Sequence, residues 1–293
     1  MKKLLKYVVQ RIGILAVIFI LSISYSCKNR IPDKEAGNIS EKHNNGLFMV
    51  RLISVRDQSE EEFVDHLKRM YLPVWSDLHK RGRLLETTVF QIHTPDSLQT
   101  EDPPGNFLIL IHLSPETLPE QLLEAEMESI NIQSPHKTFF PVIRSELMVP
   151  TPNSYYPVLT SKNYERVEEV EFFVEFIDVN NSPEDLDLYR QLMSSYFGPS
   201  NGILIQKNLA FSFTAFETRE IISNTDNEAS WNQIHIGGDY PEYLDLNWDS
   251  LYSDLFRTEF QEVDLDSIWD LLLPIRELPP YYSGHFIKEL HLQ

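Results

Sequence analysis

Residues 47–55, LFMVRLISV, and residues 171–179, EFFVEFIDV, decide the fold. Laid one over the other, Phe48 meets Phe172, Val50 meets Val174, Ile53 meets Ile177 and Val55 meets Val179. Each run has strand length and is rich in β-branched and aromatic residues. A helix start follows each. Ser59 with Glu62 spells a capping box, and Ser182 stands before Pro183, a cap residue ahead of proline at the first helical position. The first helix then shows a stripe of Phe63, Leu67, Met70, Tyr71, Val74, Trp75 and Leu78; the second shows Leu188, Tyr189, Leu192, Met193 and Tyr196. Pro73 lies over Pro199. Pro73 is expected to kink its helix, which ends near Gly82, and Gly198-Pro199 to end the other helix early.

The match continues outward. Residues 84–93 (LLETTVFQIH) lie over 210–219 (AFSFTAFETR), with Thr88 on Thr214 and Phe90 on Phe216. After a turn segment, 106–113 (NFLILIHL) lies over 229–236 (ASWNQIHI), sharing Ile111-His112 and Ile234-His235. Second helices are expected at 115–128 and 248–259. Closing strands follow at 138–149 and 281–292, with Glu146 over Glu289. Each half therefore reads β-α-β-β-α-β, the ferredoxin-like order. The fold class is α+β, with two tandem ferredoxin-like repeats at 47–150 and 170–293 joined by a linker at 151–169. Two sheets with one bare face each bury both by packing together. This organisation resembles the dimeric α/β-barrel superfamily in a fused form. That superfamily includes cofactor-independent monooxygenases, EthD- and NIPSNAP-like families and haem-binding chlorite-dismutase-like proteins. The resemblance rests on element order and repetition, so it transfers no catalytic residue.

Strand alternation sorts the two faces of each sheet. The helix side is expected to be uniformly apolar, which assigns it Phe48, Val50 and Leu52 with Phe172, Val174 and Phe176. The barrel side then receives Arg51 and Glu175 at equivalent positions. The expected ligand-binding residues are Arg51, Glu86, Thr88, Phe90, Glu175, Thr214, Phe216 and Trp231. His112 and His235, with Glu146 and Glu289, are the candidate catalytic residues, because a His beside a Glu can act as a general base near neutral pH. The ordinary reading of each is a hydrogen-bonded structural side chain. No cofactor is predicted. A haem would need a proximal histidine; His66, His79, His112, His235 and His285 are available and nothing selects one. No zinc-protease helix motif, glycine-rich phosphate loop or nucleophile elbow occurs, and no metal site is expected. Gly237-Gly238-Asp239 reads as a turn. Glu168, Glu169 and Glu171 and the stretch 259–270 read as solvated acidic faces, and Tyr155-Tyr156 and Tyr281-Tyr282 as packing or edge residues.

The amino terminus carries a separate signal. Lys2, Lys3, Lys6 and Arg11 precede an apolar run from Ile12 to Ile23, then Ser24, Tyr25, Ser26 and Cys27, the single cysteine. Twelve apolar residues are fewer than the roughly 20 needed to cross a hydrocarbon core, so the stretch reads as an export signal; an uncleaved membrane helix is the alternative. The pattern resembles a bacterial lipoprotein signal, in which the cysteine is acylated and becomes the first residue of the mature chain. Tyr25 and Ser24 depart from the common residues before that cysteine. The resemblance implies residues 1–26 as signal peptide, lipidation at Cys27 and membrane anchoring. Residues 27–46 form a polar tether. Lys28 after the cysteine implies the outer membrane, facing the periplasm.

The chain has 293 residues and a formal charge of -19; loss of the first 26, which carry four cations and no acid, brings it to -23. So acidic a surface disfavours nucleic acid. One cysteine rules out an internal disulfide. Three functions stay open: a protein that binds a small, partly apolar ligand or a protein partner, a monooxygenase-like enzyme using a His–Glu pair, and a structural domain that presents a surface. The sequence names no partner.

Overall fold

The computed structural model describes residues 46–55, 59–95, 102–133, 142–157, 164–225, 230–243, 247–260, 263–277 and 280–293. The signal segment, Cys27 and the tether up to residue 45 lie outside the described residues. Among the described residues no helix is long and apolar enough to cross a membrane.

Eight antiparallel strands close into a barrel: β1 (Leu47–Ile53), β2 (Leu84–His93), β3 (Phe107–Leu113), β4 (Val142–Tyr156), β5 (Glu171–Ile177), β6 (Ala210–Asn224), β7 (Gln233–Asp239) and β8 (Tyr281–Phe286). Around the barrel they run β4-β1-β3-β2 and then β8-β5-β7-β6. The first four strands thus stay together, as do the last four. Two hydrogen-bonded seams close the ring. One joins β2 to β8, with Phe90 opposite Phe286; the other joins β4 to β6. The sheets are therefore stitched into one surface as well as packed face to face, which leaves no open sheet edge at either seam.

Helices cover the outside. They are α1 (Glu60–His66), α2 (Leu72–Lys80), α3 (Pro119–Gln133), α4 (Pro183–Leu192), α5 (Gly198–Gln206), α6 (Trp248–Glu259) and α7 (Leu265–Leu272). Single π-helical turns, Leu67–Tyr71 and Met193–Phe197, join α1 to α2 and α4 to α5. Both prolines follow such a turn. A proline lacks the N–H donor and clashes with the carbonyl four residues back; a turn widened to five residues directly before it takes up the mismatch. The amide of Leu72 reaches the carbonyl of Leu67, and that of Gly198 reaches Met193. The early stop expected at Gly198-Pro199 is thus corrected: the helix runs on to Gln206. Asn208, at φ 55°, then closes α5 as Gly82, at φ 70°, closes α2. In both, crossed hydrogen bonds reach back to the last turn, from Leu209 to Leu204 and from Arg83 to Leu78.

Other local expectations differ in detail. The hydroxyl of Ser182 accepts from Asp185 N at 3.0 Å, whereas Ser59 makes no side-chain cap bond, so the capping box is not formed. The stretch 259–270, read as a solvated face, contains most of α7, which buries Leu265, Ile268 and, just beyond the stretch, Leu272. Gly237 and Gly238 lie within β7, not in a turn. A Cβ on Gly237 would sit 2.2 Å from the ring of Phe173, and one on Gly238 would sit 2.8 Å from Phe172. β4 runs on through Tyr156, into the stretch read as linker.

Three large apolar layers result, with a smaller cluster of Leu204, Ala210 and Leu255. The barrel interior holds Phe48, Val50, Leu52, Phe90, Leu108, Leu110, Phe172, Val174, Phe211, Phe216 and Trp231, contributed by both halves. Between barrel and helices lie two further cores. One is built on Met49, Ile53, Trp75 and Ile109, the other on Ile177, Tyr189, Phe213 and Phe256. The assignment of faces on β1 and β5 is therefore the reverse of the expected one. An eight-stranded barrel is just wide enough to be filled by side chains, and here large apolar groups fill it.

Candidate functional site

Hydrogen-bonded polar side chains cluster at either end of the lumen. At one end Glu86 on β2 and Phe48 on β1 both stand opposite His112 on β3. Cross-strand partners point to the same side, so all three project inward. The imidazole of His112 stacks on Phe48, with centroids 4.1 Å apart and planes at 16°. Gly46 lets the chain enter beside it: a Cβ there would lie 2.0 Å from His112 Nε2. The carboxylate of Glu86 accepts from Thr88 Oγ1 at 3.2 Å and from Tyr155 Oη at 3.3 Å. Tyr155 reaches it because β4 is irregular between Pro150 and Tyr155, where Asn153 adopts φ 58°. An irregularity of this kind re-aims the following side chain. A cavity of about 20 Å³, room for about one water molecule, touches Glu86, Thr88, Tyr155, Thr214, Phe48 and Phe216. Burial pushes the Glu86 carboxyl up to about 7, against the pull of the Thr88 and Tyr155 hydroxyls. Burial and the adjacent Glu86 hold Tyr155 above the ordinary phenol range.

At the other end Arg144 and Glu146, two residues apart on β4, pair at 2.8 Å. The indole of Trp231 donates to Glu146 Oε1 at 2.9 Å, and Thr218 Oγ1 donates to Oε2 at 2.7 Å. Arg144 donates to the carbonyl of Trp231 at 2.7 Å and lies over its ring, 4.5 Å from the centroid. Arg144 and Glu146 are both buried. Charges so deep persist only when paired and hydrogen-bonded. This cluster fills its end of the barrel.

Arg51, Glu175, His235 and Glu289 lie outside the lumen. Arg51 faces the helices, where it makes a two-pronged pair with Glu126 of α3 at 2.7 and 3.0 Å; Trp75 Nε1 donates to the same carboxylate at 2.8 Å. Glu175 and His235, opposite each other on β5 and β7, occupy the helix layer of the second half. There His235 Nδ1 stands 3.4 Å from Glu175, and Nε2 stands 2.8 Å from the hydroxyl of Tyr189 on α4. Burial lowers the His235 pKa against the opposing effect of Glu175, and burial raises Tyr189. Glu289 is exposed on a short 3-10 turn near Lys68. Arg51 and Glu175 are thus not lumen residues, His235 and Glu289 do not join His112 and Glu146, and Glu146 is tied to Arg144 and Trp231.

For His235 the cause is a slip of register. The shared Ile-His pair set β3 over β7 so that Ile111 met Ile234. In the structure Ile111 packs against the helices and Ile234 lies in the lumen. Counting from the first strands, the position opposite Phe172 that corresponds to His112 is Gly238. An odd slip sends every side chain to the other face. Of the expected ligand-binding set, Glu86, Thr88, Thr214 and Phe216 line the cavity; Phe90 lies deeper in the lumen and Trp231 at its far end. Tyr155 was missed because its stretch, rich in proline and serine, reads as linker.

The histidines that haem would need do not offer it a seat. His79 Nδ1 contacts the carbonyl of Leu84 at 3.1 Å, and both nitrogens of His235 face partners. His112 is stacked in a lumen whose cavity is far below the roughly 300 Å³ of an ordinary ligand pocket. His66 lies against Tyr71, 5.8 Å between ring centroids, and His285 is exposed on β8. These five histidines do not fit haem. Among the described residues no three His, Cys, Asp or Glu side chains converge to hold a metal.

No family model and no curated protein matches the sequence. Similar solved structures include a dye-decolorizing peroxidase from Bacteroides thetaiotaomicron (TM-score 0.44, 7% identity, 81% of this chain and 92% of that one). A dye-decolorizing protein from V. cholerae (0.41, 10%, 81% and 93%) and a chlorite dismutase variant from Candidatus Nitrospira defluvii (0.40, 9%, 86% and 96%) are also similar. At such identities and scores the likeness is one of coarse architecture, a mixed α+β fold around a closed antiparallel barrel, and it brings no chemistry to this chain.

Proposed function

We propose that the protein is a lipid-anchored domain of the cell envelope that acts by binding a protein partner, with its barrel serving as a rigid scaffold. In this reading the barrel is built of two tandem ferredoxin-like repeats. Cys27 carries the lipid, and the tether ends at Gly46, directly on β1. The outer membrane, periplasmic side, is the proposed location. The observation that carries the reading is the packed interior: aromatic side chains from both halves and the Arg144–Glu146–Trp231 cluster occupy the lumen, and the cavity beside Glu86 holds about 20 Å³. That space supports a scaffold better than a container for an organic ligand or substrate.

The enzyme alternative has in its favour the placement of Glu86 opposite His112 and a Glu86 carboxyl that titrates near 7. Against it stands the lack of room for a substrate beside them. Native mass spectrometry of the purified full-length protein tests the reading. The scaffold reading expects the mass of the lipidated chain alone; a small molecule retained in stoichiometric amount would overturn it in favour of ligand binding. For the anchor, Cys27→Ser is expected to move the protein from the membrane fraction to the soluble periplasm. Retention of the variant as an integral membrane protein would favour the uncleaved helix.

A further inference from the structure

The Glu86 end of the lumen has the composition of a receptor for a positive head group. Glu86 is 9% exposed, and its oxygens receive hydrogen bonds from just two hydroxyls, at 3.2 and 3.3 Å. An ionised carboxylate has about four acceptor positions. The adjoining cavity touches the carboxylate, the Thr214 side chain and the rings of Phe48 and Phe216; among the described residues no Lys or Arg lines it. Such a lining repels anions. One carboxylate among hydroxyls and aromatic rings is a poor seat for a hard divalent cation, which takes six or more oxygens. An ammonium group suits it better: it is about the size of a water molecule, carries three donors and is attracted to aromatic faces. The net charge of -19 favours the approach of cations.

We propose that the cavity beside Glu86 receives the terminal ammonium group of a primary alkylamine, whose chain leaves past Pro157. Pro157 is the lining residue that is half-exposed. The amine is a free small molecule or a lysine side chain of a bound protein; the chemistry is shared, and the inference stands apart from the partner-binding reading. The titratable groups facing Glu86 are His112 from β3 and Tyr155 from β4, while β1 and β6 present Phe48 and Thr214. Protonation of Glu86, whose carboxyl is held near 7 by burial, removes the counter-charge. Binding therefore weakens as the pH falls.

The test is thermal unfolding of the full-length protein in a non-ionic detergent at pH 8. Butylammonium chloride and the N-acetyl amide of lysine are titrated against sodium chloride and tetramethylammonium chloride at equal ionic strength. A saturable rise of about 2–4 °C is expected for the primary amines and none for tetramethylammonium. The apparent affinity should fall at least tenfold in Glu86→Gln and severalfold between pH 8 and pH 6. Response to both amines points to a lysine as a fitting guest; response to butylammonium alone points to a free amine. Equal curves in butylammonium and sodium chloride overturn the proposal, as does an unchanged affinity in Glu86→Gln. If that variant does not fold, Thr214→Val takes its place: a severalfold loss is expected, and full affinity overturns the proposal.

Discussion

At the scale of single residues, Glu86 and Arg144 show how differently one barrel treats two buried charges. Glu86 has only hydroxyl donors, so burial favours its neutral acid and lifts its pKa from 4.5 to about 7. A group whose pKa is raised by folding contributes stability that is fully present below about pH 4.5 and is lost as the pH climbs through about 7. The size is about 3 kcal/mol at 1.36 kcal/mol per unit. Glu86→Gln, which imitates the neutral acid, is expected to match the parent near pH 4.5 and to exceed it by about that amount at pH 8. Urea unfolding midpoints at the two pH values check this. Arg144, by contrast, is matched by Glu146 and the Trp231 ring. Arg144→Met leaves Glu146 buried with its counter-charge gone and is expected to cost about 3–5 kcal/mol; adding Glu146→Leu should recover much of the loss. A double-mutant cycle by chemical denaturation reads both steps. Residue types were legible here, since Glu86, Thr88, Thr214 and Phe216 were all expected to meet in one pocket. The side on which Arg51 and His235 point was not, because partners such as Glu126 and Tyr189 lie on helices distant in sequence.

At the scale of elements, helix and strand order follow from periodicity, and irregularities place the functional groups. In the stripe Phe63, Leu67, Met70, Trp75, Leu78, the five-residue step from Met70 to Trp75 starts in the π turn that precedes Pro73. The bulged stretch of β4 packs on the start of α5: a Cβ at Gly198 would lie 2.2 Å from the backbone oxygen of Asn153. Gly198→Ala must displace one backbone or the other and is expected to cost at least about 1–3 kcal/mol, with loss of the Tyr155–Glu86 contact. Asn153→Gly should be tolerated at φ 58°, whereas Asn153→Val should lose about 1–2 kcal/mol. Differential scanning calorimetry of the variants separates these outcomes. No spacing rule announced the bulge, because its proline-rich sequence is equally that of a connector.

At the scale of the whole molecule, the two seams make each half the cover of the other. Phe48 lies 4.9 Å from Phe216, and Phe90 lies 5.3 Å from Phe172, each pair crossing between halves. A half alone would expose these rings to water. Chains cut between Pro157 and Tyr164 are therefore expected to associate one to one when co-expressed, and the first half alone to aggregate or to pair with itself. Size-exclusion chromatography with native mass spectrometry distinguishes the cases, and two stable, soluble monomers would contradict the shared interior.

Composition, periodicity and self-similarity by themselves determined the α+β class, the order of strands and helices, and the expectation of a barrel with two bare faces to bury. These are local or repeated quantities, and each half states them within its own residues. Which face turns inward, how far the interior is filled and which polar groups meet were decided only by the closed tertiary structure. The two faces of a strand differ by a single residue of register, and both were apolar enough to serve as core. The choice fell to lumen volume and to partners such as Glu126, Tyr155 and Trp231, which only folding brings within hydrogen-bonding distance.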